Sequence, residues 1–577
     1  MRRGIKLIMG SIVALIGSLA FINSAKASDV SATNSTTGAN SDNSSEVTLD
    51  SQNSVDINND ADVNNDIYIK ANTGGNSASK NTGDGSVSSG DASVSASAST
   101  TVNSTSLSGG GSGSGSTSVS AGNDTTGAES ENEAEVKIEA ENKIDIDNDA
   151  DIDNDLELKA ETGENEASKN TGDGSVKSGD ASVSADVENE ANSTDVEYGY
   201  GFGDMNVELF NHKTGFDSEN EVEFELKKEN ELDIDNDADI DNDLDLKAET
   251  GENEANENTT DPSVESGDAE VSASVSTEVN LTEVELGGDE GDINVDASND
   301  TTGAESENEI EVSIESENKV EIDNDADVDN DIEIEAETGE NEANENTGDG
   351  SVESGDAEIE FDVQTSANEV SVALGGGGDI DVEASNHKTG FDSENEIEVE
   401  IENESKVEID NDLDVDNDIE IEAETGENEA NENTGDGSVD SGDISIGGDV
   451  STEGNMVELG SLGGADDIDV EASNDTTGAE SENKVKIELE NELEVDLDND
   501  ADVDNKVKIE AETGENEAEE NTGDGEANSG DVDVELGVET SANVVTSGAE
   551  GISESSSSEE LDGEGDINVN INGEDIV

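Results

Sequence analysis

The sequence predicts an all-β protein, an elongated β-solenoid built from six tandem repeats of about 88 residues. Three observations carry this. Apolar and polar residues alternate strictly over long segments, 136–162 being one. These segments return at a fixed interval along the chain. The 577 residues contain a single Pro, which suits a ladder-rich chain because Pro removes a backbone donor. Two alternatives share the composition: a string of small antiparallel β units, and a disordered polyanion. Asp and Glu number 156 against 22 Lys and Arg, a net charge of −134, and apolar residues make up only 29%. Low hydropathy with high net charge belongs to disorder. Disorder, however, has no reason to keep a phase.

The first element is residues 1–27, which read as a signal peptide. Arg2, Arg3 and Lys6 precede an apolar run over 7–22, and Ala25-Lys26-Ala27 forms a cleavage signal before Ser28. The run is short for a bilayer span. The chain is therefore expected to be exported and not membrane-spanning after cleavage. It has no Cys, so neither disulfides nor thiolate metal sites hold it together.

After a lead at 28–35 come six repeats, at 36–124, 125–212, 213–300, 301–387, 388–475 and 476–545. Their marker is a Thr-Gly at Thr73, Thr162, Thr250, Thr338, Thr425 and Thr513, with intervals of 89, 88, 88, 87 and 88. A second Thr-Gly recurs at Thr37, Thr126, Thr214, Thr302, Thr389 and Thr477. Such self-similarity marks a stacked architecture in which neighbours bury what one unit cannot.

Each repeat opens with a long alternating segment. From Val136 every second residue to Thr162 is apolar, Asn or Thr, and the residues between are almost all charged or Asn. Period two means a strand with one face inward. Extended, these 27 residues span about 90 Å, whereas strands usually run ~5–6 residues. The segment is therefore expected to bend. Asn142, Asn148 and Asn154, in the inward phase, mark the corners and stack on the Asn of the next coil. A turn-rich stretch follows, TGENEASKNTGDGSVKSGDA at 162–181, whose Thr-Gly and Ser-Gly pairs reset the phase through positive φ at Gly. The inward set then becomes Ala181, Val183, Ala185 and Val187. A variable Gly-rich patch closes the repeat, for example 108–116 or 375–379, and reads as a surface excursion or hinge. Residues 546–564 read as a Ser/Glu-rich linker. Residues 565–577 begin a truncated seventh repeat, whose open edge suggests self-association.

The acidic rows carry the most specific chemistry. Asp145, Asp147, Asp149, Asp151, Asp153 and Asp155 share the outward phase. So do Asp233, Asp235, Asp237, Asp239, Asp241 and Asp243, and then Asp323, Asp325, Asp327, Asp329 and Asp331. Carboxylates ~6.6 Å apart along a strand and ~4.8 Å between strands can share hard cations, with Ca²⁺ favoured outside cells. The same rows equally serve as a solvated, salt-tolerant face. An EF-hand does not fit, because Ala150 stands where its loop needs Gly and Leu156 where it needs Glu. The acidity also excludes nucleic acid, which needs a basic stripe. His212 and His387 are equivalent positions of NHKTG and read as surface-loop residues. No nucleophile–base constellation emerges, so no enzyme is expected.

The long acidic repeats, the export signal and the solenoid periodicity over 36–545 resemble repetitive bacterial or archaeal surface proteins and adhesin stalks. The resemblance is architectural, and no site residue is carried over. It implies a structural role at the cell surface or in the extracellular matrix, as stalk, surface layer or adhesin within the cell envelope. The rival expectation is a secreted cation-binding polyanion acting as a Ca²⁺ buffer or mineral template.

Overall fold

The structure, a computed structural model, describes residues 5–21, 29–109, 117–199, 204–287, 291–375, 378–462, 468–475, 478–514 and 516–547. Among them there is strand and turn but no helix. The chain runs in circuits. One comprises Thr117–Asp124, the 33-residue strand Glu131–Gly163, the short Gly174–Lys177, and a return strand in two pieces, Ala181–Ala191 and Thr194–Tyr198. Each strand pairs in parallel with its counterpart one circuit on, as Asp145 with Asp233 and Ala181 with Ala269. Four sheets result: a six-stranded long sheet, a six-stranded sheet of short corner strands, a six-stranded sheet of 7- to 8-residue strands, and an eight-stranded return sheet. The architecture is solenoid-like. All strand pairings of the described residues are parallel, so the antiparallel alternative does not describe it.

The alternation has its predicted use. Inward side chains of the long strand meet the facing sheets in a series of apolar cells. Val136 and Ile138 pack with Val119 and Ala121, and Ile144 and Ile146 with Leu107 and Val196. Further along, Ala150 and Ile152 pack with Val102 and Ala191, and Leu156 and Leu158 with Val183 and Ala185. The phase resets after Gly179, with Ala181, Val183, Ala185 and Val187 all buried. It does not do so through the expected positive φ at this Ser-Gly: Gly179 is needed for close approach, a Cβ there standing 2.5 Å from the Gly90 carbonyl oxygen.

The predicted bends do not occur. Glu131–Gly163 is one unbroken strand of 33 residues, about 110 Å long at ~3.3 Å per residue. Six stacked strands rise only ~24–29 Å, so the long dimension lies along the strands and not along the stack. The physical reason is the facing layer. The return strand and the next short strand together cover the long strand end to end, so no inward residue has to turn to find a partner.

Asn142, Asn148 and Asn154 are accordingly mid-strand and not at corners, while their predicted stacking is present. Asn142 donates to Asn230 at 2.8 Å, Asn148 to Asn236 at 2.7 Å and Asn154 to Asn242 at 2.8 Å. Asn148 also donates to Thr194 Oγ1 across the core, and Asn154 to Asn189 Oδ1. These ladders run between the apolar cells and fix which cell faces which, since a buried amide tolerates no unpaired register. Replacing Asn236 by Ala removes the acceptor of Asn148 and the donor to Asn324 and Thr282. The expected loss is about 2–4 kcal/mol, because buried groups are left unpaired. A denaturant midpoint unchanged by N236A would contradict this role.

The corners differ from expectation in detail. Gly163, Gly251 and Gly339 do take positive φ (121°, 129° and 131°), as predicted. At the second Thr-Gly the left-handed residues are instead Thr125 (62°) and Glu129 (58°). There glycine is required for close approach, because a Cβ on Gly215 would sit 2.3 Å from the Gly127 carbonyl oxygen. The Gly-rich patches are connectors between the return strand and the next short strand; residues 110–116, 200–203, 288–290, 376–377 and 463–467 lie outside the described residues. So do 548–577, which hold most of the predicted linker and the truncated seventh repeat. Within the predicted signal peptide, Ile5–Phe21 pairs as a strand with Ala92–Gly109.

Candidate functional site

The outward phase of the long sheet is a grid of carboxylates. Register places Asp145, Asp233, Glu321, Glu408 and Asp496 in one column. Asp147, Asp235, Asp323, Asp410 and Asp498 form the next, and the columns of Asp149, Asp151 and Asp153 continue in the same way. All seventeen predicted acids therefore lie on one face of three adjacent strands, in six columns. Neighbours stand ~4.8 Å apart between strands and ~6.6 Å apart along them.

Such crowding disfavours charge. Burial holds the Asp149 carboxyl above its usual value, and Asp237, Asp60 and Asp147 push it further. Burial followed by neighbouring acids raises Asp151, Asp235, Asp241, Asp243, Asp323, Asp325, Asp327 and Asp329 in the same way. Asp233 is raised by burial and by Glu321 and Asp145, against Lys143 and Lys319. The most displaced acid stands further along the strand. Burial pushes Glu337 up to about 7, although Lys247 lies 3.0 Å away.

Lysines interrupt the grid at its flanks. Lys143 pairs with Glu231 at 3.3 Å and Lys159 with Asp245 at 3.3 Å, each one circuit on. Lys137 bonds Glu225 at 2.9 Å, which with Glu139 pushes its ammonium up to about 12. Exposed pairs of this kind contribute little to stability singly. The columns soften at the first strand, where Asn58 donates to Asp147 and Asn64 to Asp153.

Sequence reasoning missed two further acid arrays. Glu252, Glu254, Glu340, Glu342, Glu427 and Glu429 line a groove at the TGENEA corner. Glu305, Glu307, Asp392, Glu394, Glu480 and Glu482 line another beside the second Thr-Gly. The sequence signal for both is the recurring Glu-Asn-Glu of TGENEA and Glu-Ser-Glu of TGAESEN. His212 and His387 close strands rather than sit in loops, and each faces an Asp one circuit on: Asp300 at 3.0 Å and Asp475 at 3.3 Å.

Among the described residues, no three His, Cys, Asp or Glu side chains converge closely enough to hold a metal ion as they stand. No helix among them is long and apolar enough to cross a membrane. What the face offers is a lattice of oxygen donors at regular spacing. No protein-family model, curated protein or solved structure matches the chain.

Proposed function

We propose that the chain is an exported structural protein of the cell surface or extracellular matrix, a β-solenoid of six coils from repeats of about 88 residues. The supporting observation is the continuous in-register stacking, in which buried Asn ladders tie each circuit to the next. This is the construction of a stiff, extendable body, and its surface chemistry repeats along the stack instead of converging on one catalytic point. Such a body suits a stalk, a surface layer or an adhesin. Immunolabelling of intact cells beside culture supernatant tests the reading. Label on the envelope is expected, and label confined to the medium would defeat it.

The second reading is a secreted cation-binding polyanion, a Ca²⁺ buffer or mineral template. The columns of carboxylates with raised proton affinity favour it, since a group that resists bare charge gains from a cation. Ca²⁺ takes about six to eight oxygens in flexible geometry and so suits carboxylates carried on strands ~4.8 Å apart, whereas Mg²⁺ demands a near-ideal octahedron and keeps its water. The seventeen Asp positions are the proposed donors.

Export requires processing, and Ala25-Lys26-Ala27 places the cut before Ser28. N-terminal sequencing of the exported chain is expected to begin at Ser28. A retained Met1 would contradict it.

A further inference from the structure

The two ends of the stack are unlike each other and complementary. At the last circuit, inward apolar residues lie open: Val485 is 44% exposed, Leu489 56% and Val532 45%. Their counterparts one circuit earlier, Ile397, Ile401 and Ile444, are 0–1% exposed. The Asn ladders of the long and return sheets have a direction, Nδ2 donating to the Oδ1 of the following circuit, as from Asn43 to Asn132 through to Asn395 to Asn483. The return-sheet ladder, which starts at Asn103 and ends at Asn543, shows the consequence. Asn103 Oδ1 at one end and Asn543 Nδ2 at the other are both buried without a hydrogen-bond partner, as are Asn299 Oδ1, Asn346 Nδ2 and Asn433 Nδ2 within the stack, but only the two end atoms are a donor and an acceptor of one ladder.

We propose that these ends join: the last circuit of one copy pairs in register with the first circuit of a second copy, extending the long and return sheets. The register is fixed by the column Asp42, Glu131, Glu219, Glu307, Glu394, Glu482, which brings Asp42 of one copy beside Glu482 of the other. The same register sets Asn543 on Asn103, donor to acceptor. It also sets Lys486 beside Glu46, Lys506 beside Asp66 and Glu510 beside Lys70. The end strands carry less charge than the strands between them. Asp42–Asn72 holds seven acids, and Glu482–Gly514 holds twelve with four Lys, whereas Glu394–Gly426 holds fifteen with one. Where two copies meet, three opposite pairs offset five acid-on-acid pairs, Glu482/Asp42, Glu490/Asp50, Asp496/Asp56, Asp500/Asp60 and Asp502/Asp62. That is fewer than the long strands within the stack set against each other, so repulsion is lowest there. Ile5–Phe21 occupies the edge of Ala92–Gly109 that Val532–Ser547 of the second copy takes, so joining requires removal of the leader. The inference depends on the geometry of the ends and not on where the protein resides, so it can fail while the surface assignment stands.

Glycines supply the test. A Cβ on Gly127, Gly215, Gly303, Gly390 or Gly478 would meet backbone of the preceding circuit at 1.9–2.4 Å, whereas one on Gly38 meets nothing within 4 Å. Gly38→Val is therefore silent in a single chain and obstructs a second one. The chain from Ser28 onward, in molar NaCl, is expected to form filaments with an axial repeat of about 29 Å, six strands at ~4.8 Å. G38V is expected to keep the same far-UV dichroism and to sediment as a single chain. The full chain with residues 1–27 retained is also expected not to polymerise. A Thr48→Cys, Glu488→Cys double variant is expected to give a ladder of disulfide-linked oligomers on oxidation, since in-register neighbours are within disulfide reach. A chain from Ser28 that stays monomeric, G38V filaments like those of the unaltered chain, or absence of the disulfide ladder would each overturn the proposal.

Discussion

In chelator at low ionic strength, the chain from Ser28 onward is expected to lose its β-sheet circular dichroism and to expand in small-angle scattering. Two like charges ~5 Å apart cost about 0.8 kcal/mol in water and about 3 at an effective dielectric of 20. The long sheet alone repeats such pairs along every acidic column. Net domain stability is typically ~5–15 kcal/mol in total. Unscreened, the repulsion exceeds it. Screening over ~10 Å or less, or direct coordination coupled to folding, restores the balance. Molar NaCl is expected to return the β signal. Millimolar Ca²⁺ outperforming equal Mg²⁺ identifies coordination within the grid, while equal action of the two divalents identifies a solvated, salt-tolerant face. A chain that remains compact in chelator at low salt contradicts the cation requirement.

Mild acid is expected to do the work of salt. Ten of the seventeen predicted grid carboxyls, Asp149, Asp235, Asp325 and Asp329 among them, have folded-state proton affinities above their ordinary values, through burial first and neighbouring acids second. The folded chain thus binds more protons than the unfolded one, and stability falls as pH rises. The contribution is fully present below the ordinary carboxylate values of 3.8 for Asp and 4.5 for Glu. It is lost as pH climbs through the raised folded values, the latest being Glu337 at about 7. At an ionic strength just sufficient to keep the chain folded at pH 8, the thermal midpoint should therefore rise steadily between pH 8 and pH 5, opposite to the behaviour of a protein held by salt-bridged carboxylates. Replacing Asp235, Asp323 and Asp325 together by Asn should flatten the profile and raise the midpoint at pH 8. A midpoint that falls on acidification over this range would contradict the crowded-grid account.

The strand phase was legible in the sequence because burial here has period two and little else competes with it. The inward Val136, Ile138, Ile144 and Ile146, the reset at Ala181, and the outward acids all stand as alternation implies. The Asn ladder was legible as well, since Asn in an apolar phase needs a partner and only the next circuit offers one. Strand length was not. A typical strand length argued for bends, but length is limited by what faces a strand, and the sequence does not announce that the return strand and the next short strand lie end to end against it. The corners were half legible. Glycine was recognised for its backbone freedom, while Thr125 and Glu129 took the left-handed positions and Gly215 served close approach. The corner grooves were missed because their acids sit in segments whose Gly, Asn and Thr already had an explanation.

The pairing of every strand with one 87–89 residues away has a mechanical corollary. A circuit adds only ~4.8 Å to the height of the stack, yet it stores roughly 300 Å of extended chain. Tension applied along the stack meets the hydrogen bonds one circuit at a time, from the outermost inward, because each circuit is held only by its immediate neighbours. The body then yields in equal steps, each paying out a length some sixty times its folded height while the remaining circuits stay paired. A tether made this way absorbs a sudden pull by lengthening and can restack circuit by circuit when the load is released.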